Sequence, residues 1–232
     1  MEREIAMMTG NIANMAAIII GTAVGMLFKK LIKPSYSETI MAGMGIVALV
    51  MGIMNVMETQ NLLVSVVSIV FGSFVGEVAQ IDKKIESFGS YIGSKFQSEG
   101  ENSFAKGFVS ASLIYCIGAM AILGSIESGL KGTHSILYTK SVMDGVTAIV
   151  FTSTLGIGVG FSAISVFVYQ GAIILLAGQL GSFFTEPLIA ELTAVGGIMI
   201  VAIGLNILEL KKIKVANMLP ALLGPVIYFM VK

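Results

Sequence analysis

Apolar residues run through this chain in long blocks broken by short polar stretches. The blocks match the length a helix needs to cross the hydrocarbon core of a bilayer, roughly 20 residues. Eight spans are predicted, at about 10–28, 39–57, 61–81, 104–124, 140–157, 161–183, 190–209 and 213–231, the fifth being the shortest. Between the third and fourth, Ile81, Ile85, Phe88, Ile92 and Phe96 recur at helical spacing among charged residues. That pattern predicts an amphipathic helix lying at the membrane surface over 81–97. A polar linker is expected at 98–103 and a second long loop at 125–139. Lysine placement gives the direction. Lys29, Lys30, Lys33, Lys83, Lys84, Lys95, Lys106, Lys211, Lys212 and Lys214 fall on one side of this map. Arg3, Lys131, Lys140 and Lys232 fall on the other. Positive charge stays cytoplasmic, so both termini are expected outside.

Composition agrees with an all-α polytopic membrane protein built as one transmembrane domain over residues 1–232. Of the 232 residues, 56% are hydrophobic and 12% charged, and mean hydropathy is +0.92. A soluble domain carries about 25% charged residues, so too few polar groups are present to cover a soluble globule. The formal net charge is zero, which argues against a basic surface for nucleic acid. One cysteine, Cys116, excludes an intrachain disulfide, and one histidine, His134, makes a Cys/His zinc site implausible. The first apolar run ends in Lys29-Lys30 with no small-residue cleavage pattern, so it reads as a span.

The second and seventh spans share a motif. In "GIVALVMGIMNVME" (45–58) and "GIMIVAIGLNILEL" (197–210), two glycines seven residues apart precede an Asn and a Glu. Gly45, Gly52, Asn55 and Glu58 thus stand beside Gly197, Gly204, Asn206 and Glu209. The flanking "AIII…GMLF" (17–28) resembles "AIIL…GSFF" (172–184) with one residue inserted. Spans one to three are therefore read as recurring in spans six to eight, as residues 10–81 and 161–231. An odd number of spans separates the copies, so the second is inverted, the arrangement of many secondary transporters. Chance alignment of Gly-rich apolar sequence is the competing explanation.

Candidate chemistry gathers around "TSTLGIGVGFSAISVFVYQG" (152–171). Gly156, Gly158 and Gly160 each weaken a helix by about 1 kcal/mol relative to Ala, so a discontinuous helix is expected near 156–160. Freed backbone survives at membrane depth only inside protein or along a cavity. Thr152, Ser153, Thr154, Ser162, Ser165 and Gln170 stand beside it. Hydroxyls alone read as helix packing; together with the preceding "TKSVMDGV" they read as a site. Asp144 lies one turn beyond Lys140, and it is the one acid placed clearly inside a span. Such residues are functional candidates, against the plainer reading of an interfacial pair with Lys140 snorkelling outward. Asn14, Asn55, Asn206, Gln179, Ser65 and Ser68 complete the intramembrane polar set. Each alone is more often glue between helices. The GxxxG pairs Gly21/Gly25 and Gly72/Gly76 are read as close-packing points, and Glu77 as interfacial. GIGVG lacks the Lys-Ser/Thr of a phosphate-binding loop, and Ser162 lacks the Gly-x-Ser-x-Gly frame of a nucleophile elbow. An enzyme is not expected, nor is any cofactor or metal.

Four blocks carry a family resemblance: "GNIANMAAIIIGTAVGMLFKK", "GFVSASLIYCIGAMAILGSIESGL", "LYTKSVMDGVTAIVFTSTLGIGVGFSAISVFVYQG" and "TEPLIAELTAVGGIMIVAIGLNIL". They resemble the domain of unknown function 554 family of uncharacterised bacterial membrane proteins, over nearly the whole chain. By that resemblance Asn14, Lys140, Asp144 and the glycines through Gly160 match the family's most recognisable positions. Gly160 and Ser165 stand where the family pattern has Leu and Pro, so the expected break rests here on glycine. The resemblance implies a membrane location and supplies no substrate.

The functional expectation is a secondary transporter of a small solute or ion in the cytoplasmic membrane. Its predicted site comprises Asp144, Lys140, Asn14, Thr152, Ser153, Thr154, Gly156, Gly158, Ser162 and Gln170. The alternatives are an ion channel, or a non-transporting scaffold or accessory subunit whose glycines serve packing alone. Expected partners are the lipid bilayer and a small solute or ion, with no nucleic acid and a homo-oligomer left open.

Overall fold

In the computed structural model every apolar block is helical. The structure describes residues 2–29, 34–85, 87, 91, 101–180 and 183–231. In chain order the elements are α1 (Glu2–Lys29), α2 (Pro34–Val56), α3 (Leu62–Ala79), α4 (Glu101–Cys116), α5 (Ala119–Lys131), α6 (Ser135–Leu155), α7 (Gly158–Leu175), α8 (Ala177–Leu180), α9 (Glu186–Ile207), a 3-10 helix (Val215–Leu222) and α10 (Leu223–Val231). They form two compact units. One takes Met1–Lys33 and Lys106–Thr185, the other Pro34–Ala105 and Glu186–Lys232.

In the first unit glycine contacts fix the helix directions. Gly10 lies against His134 and Leu137, Gly21 against Gly145 and Ala148, and Gly25 against Ile149 and Thr152, so α1 and α6 run parallel. The GxxxG pair thus lets two backbones touch, as small residues do in membrane helix pairs. Gly160 meets Thr22 and Gly171 meets Met8 and Asn11, so α7 runs back along α1. The turn between α6 and α7 is Gly156, at φ 79° and ψ −166°, a conformation essentially confined to glycine. This reversal replaces the discontinuous helix predicted near 156–160. The glycines end one helix and begin another running the opposite way. The continuity breaks elsewhere. Gly107 faces Leu155 and Val159, and Gly129 faces Ile174 and Ala177, so α4 and α5 both run with α7. The two are bent by 59° at Gly118, where φ is 138° and ψ 150°.

In the second unit α2 and α9 are antiparallel and their contacts are reciprocal. A Cβ added to Gly52 would stand 2.7 Å from Val201 Cγ2 and 2.8 Å from Gly197 O. One added to Gly204 would stand 2.8 Å from Leu49 Cγ and 3.0 Å from Gly45 O. Gly45 meets Leu208 and Ile207; Gly197 meets Val56 and Asn55. Exchanging 45, 49, 52 and 56 for 197, 201, 204 and 208 maps each contact onto another. The four glycines of the repeated motif are the two faces of one interface. To within one residue the same holds for α3 and the segment following α9: Gly72 faces Ala221 and Gly224 faces Ser68.

Among the described residues five helices are long and apolar enough to cross a membrane, beginning at Met7, Glu38, Leu62, Gly158 and Glu186, and the count is six if the bent α4–α5 pair is one span. Among the described residues, the predicted fifth and eighth spans fall short. Helix α6 carries Lys140, Asp144 and the Thr152–Thr154 hydroxyls, which lower its hydropathy. The segment from Val215 opens as a 3-10 helix containing Pro220, whose ring cannot donate a backbone hydrogen bond. The loop predicted over 125–139 is wrong. Helix α5 continues to Lys131 and stops at Gly132, which caps it at φ 66°, leaving a three-residue connection before α6. His134 in that connection hydrogen-bonds Ser128 at 2.9 Å. The linker predicted at 98–103 gives way to α4 at Glu101; residues 98–100 lie outside the described residues. Most of the predicted surface helix over 81–97 also lies outside them; 81–85, 87 and 91 are helical.

Candidate functional site

Three helices of the first unit converge on a buried polar cluster. Helical spacing puts Lys140 and Asp144 on one face of α6, where the ammonium donates to Asp144 Oδ2. Asn14 on α1 donates from Nδ2 to the same oxygen at 3.0 Å and to Gln170 Oε1 of α7 at 3.4 Å. Asn11, one turn before Asn14, donates to the Phe167 carbonyl at 2.9 Å. Asn11, Asn14 and Gln170 are fully buried, and Lys140 and Asp144 are each 6% exposed. The pair is therefore interior, and Lys140 does not snorkel.

The broken rod supplies the next layer. Tyr115, in the last turn of α4, is fully buried with its ring centroid 5.8 Å from Lys140 Nζ. Thr147 Oγ1 donates to the Tyr115 hydroxyl at 3.4 Å. The break at Gly118 thus follows directly on residues facing the ion pair. A helix end leaves carbonyls and amides without intrahelical partners, so the cluster has backbone dipoles close by.

Three side-chain atoms in the cluster, Asn11 Oδ1, Asn14 Oδ1 and Gln170 Nε2, are buried with no hydrogen-bond partner among the described residues. A buried amide atom left unpaired costs about 1–3 kcal/mol. Three of them beside one ion pair make an interior that is polar and incompletely satisfied.

The predicted site residues divide. Asn14, Lys140, Asp144 and Gln170 come together. Thr152, Ser153, Thr154, Gly156, Gly158 and Ser162 do not join them. Gly156 lies twelve residues beyond Asp144, about 18 Å along the helix. The hydroxyls are occupied locally: Ser153 donates to the Val150 carbonyl, Thr154 to Val150 and Phe151, and Ser162 to Val159. Thr152 donates to Thr22 of α1 at 3.3 Å. Ser165 pairs with Ser112 at 3.1 Å. These groups tie helices and turns together. Sequence reasoning missed Asn11, Tyr115 and the Gly118 break. Asn11 stood one helical turn from Asn14, and Gly118 interrupted the apolar run "YCIGAM".

It also missed a second buried acid. Glu191, near the start of α9, is 1% exposed. Its carboxylate accepts from Gln60 N and Asn61 N, each at 2.7 Å, from Thr59 Oγ1 at 2.8 Å and from Ser65 Oγ at 3.4 Å. It caps the start of α3, where an anion is favoured by the helix dipole, and every bond stays within the second unit. Glu77 at the far end of α3 is held by Lys214 at 2.7 Å and Asn217 at 2.6 Å.

Several apolar helices of spanning length, packed through glycine contacts around buried polar groups, define a polytopic membrane protein of the all-helical class. The chain belongs to the family of proteins of unknown function DUF554, which matches residues 9–230. Among its relatives is the uncharacterized membrane protein YdfK of Bacillus subtilis (strain 168), 37% identical over 97% of both chains. The uncharacterized protein YqgA of Escherichia coli (strain K12) is 28% identical over 94% of both chains. No solved structure matches.

Proposed function

We propose that the protein is a secondary transporter of a small solute or ion, with its binding site at the Asn11–Asn14–Lys140–Asp144–Gln170 cluster. The observation that carries this reading is the set of three unpaired, fully buried amide atoms around an interior ion pair. A packing interface gains nothing from such atoms. A site that exchanges partners during turnover uses them. The adjacent break at Gly118 gives a helix pair that can bend where the cluster lies, as discontinuous helices do at transporter sites.

The reciprocal α2–α9 contacts support an inverted repeat, since two antiparallel helices with exchangeable contacts are related by a two-fold axis across them. If α6 and the segment from Val215 also cross, the proposed count is eight. The lysine distribution then sets both termini outside the cytoplasmic membrane. Transport rather than catalysis is the proposed role.

The test is thermal stability of purified protein in detergent against a panel of ions, amino acids and organic acids. One class should raise the melting temperature of the wild type and leave Asp144→Asn unmoved, with Asp144→Asn still folded by circular dichroism. A panel without effect, together with full resistance of cysteines at 14 and 170 to small thiol reagents, would mark the cluster as a dry interface and defeat the proposal.

A further inference from the structure

In the second unit the chain turns a corner at the end of α3. The helix closes at Gln80, which adopts the left-handed conformation at φ 52° and ψ 44° and donates its backbone N–H to the Glu77 and Gly76 carbonyls. A residue in that conformation ends a helix and redirects the chain. Asn217 fixes the corner: its Nδ2 donates to Glu77 Oε2 at 2.6 Å, and its Oδ1 accepts from Asp82 N at 2.7 Å. Between the helix end and the redirected segment lies an open notch of about 370 Å³, lined by Val78, Ala79, Gln80, Lys83, Lys84 and Ser87. Small-molecule sites run from about 300 to 1,000 Å³, so the notch has room for a polar headgroup.

Its two walls differ in chemistry. Lys83 and Lys84 are exposed, and among the described residues neither has an ion-pair partner, whereas Lys214 is spent on Glu77. Neither Glu77 nor Asp82 lines the notch. Ser87 gives its hydroxyl proton to the Lys83 carbonyl at 2.8 Å, which leaves the two ammonium groups to meet an outside anion. The other wall is apolar and continues out of the notch. Val67, Phe71, Phe74 and Val78 are exposed and recur at helical spacing along one face of α3, while Gly72 and Gly76 pack against Ala221 and Asn217. From Val67 to Val78 the stripe runs about 16 Å at 1.5 Å per residue. The hydrocarbon of one leaflet is about 15 Å deep, half of the bilayer core. A ligand matched to both walls carries an anionic group at one end and an acyl chain at the other.

We infer that the notch binds an anionic phospholipid, with its phosphate on the Lys83 and Lys84 ammonium groups and an acyl chain along Val78, Phe74, Phe71 and Val67. A soluble phosphate would meet the lysines alone; the apolar stripe running out of the same notch commits the site to a lipid.

The chain contains no tryptophan, so Phe74→Trp supplies a single fluorophore on the stripe. The full-length variant is reconstituted in phosphatidylcholine and titrated with phosphatidylglycerol brominated on its acyl chains, which quenches an adjacent indole. Each lysine near the surface favours anionic lipid about fivefold. Phosphatidylglycerol should therefore be preferred over brominated phosphatidylcholine by about thirtyfold. In the same background Lys83→Gln with Lys84→Gln should abolish the preference, and Lys83→Arg with Lys84→Arg should keep it. Lys211→Gln with Lys212→Gln, which removes the same charge outside the notch, should leave most of it. Equal quenching by the two lipids overturns the site. So does an equal loss in the two glutamine pairs, which would mark a diffuse surface charge. Inorganic phosphate that removes the preference at matched ionic strength would assign the lysines to a soluble anion and also overturn the lipid site.

Discussion

The α2–α9 interface offers a test in which the expected size of the effect follows from distances. An alanine at position 52 would put its Cβ 2.7 Å from Val201 Cγ2, 2.7 Å from Val201 N and 2.8 Å from Gly197 O. Favourable carbon contacts begin at about 3.5 Å, so the helices must part by roughly 1 Å. Two of those three atoms are backbone and cannot rotate away. Overpacking of this kind costs about 1–3 kcal/mol, set against a gain of about 1 kcal/mol in helix propensity from Gly to Ala. Gly204→Ala meets the reciprocal set, Leu49 Cγ at 2.8 Å and Gly45 O at 3.0 Å. Part of that set is a flexible side chain, so its penalty should be smaller. Gly43, on the same helix α2, has nothing within 4 Å of its added Cβ. Gly43→Ala should therefore be neutral or stabilising. Equilibrium unfolding in mixed micelles would rank the three. If Gly52→Ala proves as harmless as Gly43→Ala, the two backbones are not in contact and the reciprocal interface is refuted.

Two further outcomes follow. Glu191→Ala removes the acceptor of two backbone amides and two hydroxyls and should lower unfolding free energy by about 2–5 kcal/mol, since each orphaned amide costs about 1–3. Glu191→Gln, whose amide can still accept from the backbone while donating to a hydroxyl, should lose less than half of that; equal losses in the two variants would contradict the capping role. For orientation, a cysteine replacing Lys232 should react with an impermeant maleimide in intact cells, and labelling only after lysis would reverse the proposed topology.

What the sequence made legible depends on the range of the interaction. Lys140 and Asp144 were readable because i,i+4 spacing is a local rule. The motif shared by 45–58 and 197–210 was readable as similarity, and the structure gives its physical content: the four glycines face one another. The hydroxyl-rich stretch at 152–165 was assigned to the site because it is dense in oxygen. Density could not reveal that Ser153, Thr154 and Ser162 spend their donors on carbonyls of their own helix, a local competition that side chains of this type often win. The three glycines at 156–160 announced a break, but whether a break bends a rod or reverses it depends on what lies alongside. Here the reversal comes from Thr22 and Asn11 of α1 receiving α7. Glu191 was invisible because its partners lie about 130 residues away in the chain.

The cluster in the first unit and the capping groups in the second handle burial in opposite ways, and the contrast yields a last test. Glu191 and Asn217 are each met by several partners; Asn206 clamps Ile213 through both N and O. Asn11 makes its one bond to a helix carbonyl and leaves Oδ1 unmet. A buried acceptor without a protein partner is unfavourable to stability as it stands. An apolar residue of similar size removes the unmet acceptor, and the Phe167 carbonyl it releases can fall back on the bonding of α7. Asn11→Leu should accordingly leave thermal stability unchanged or raise it by about 1 kcal/mol. The same variant should weaken ligand stabilisation at least tenfold, because one oxygen of the proposed site is gone. Stability gained with binding lost is the signature of a polar group kept for function. A variant that loses both in proportion would show Asn11 to be structural, and the unmet oxygen would then need another account.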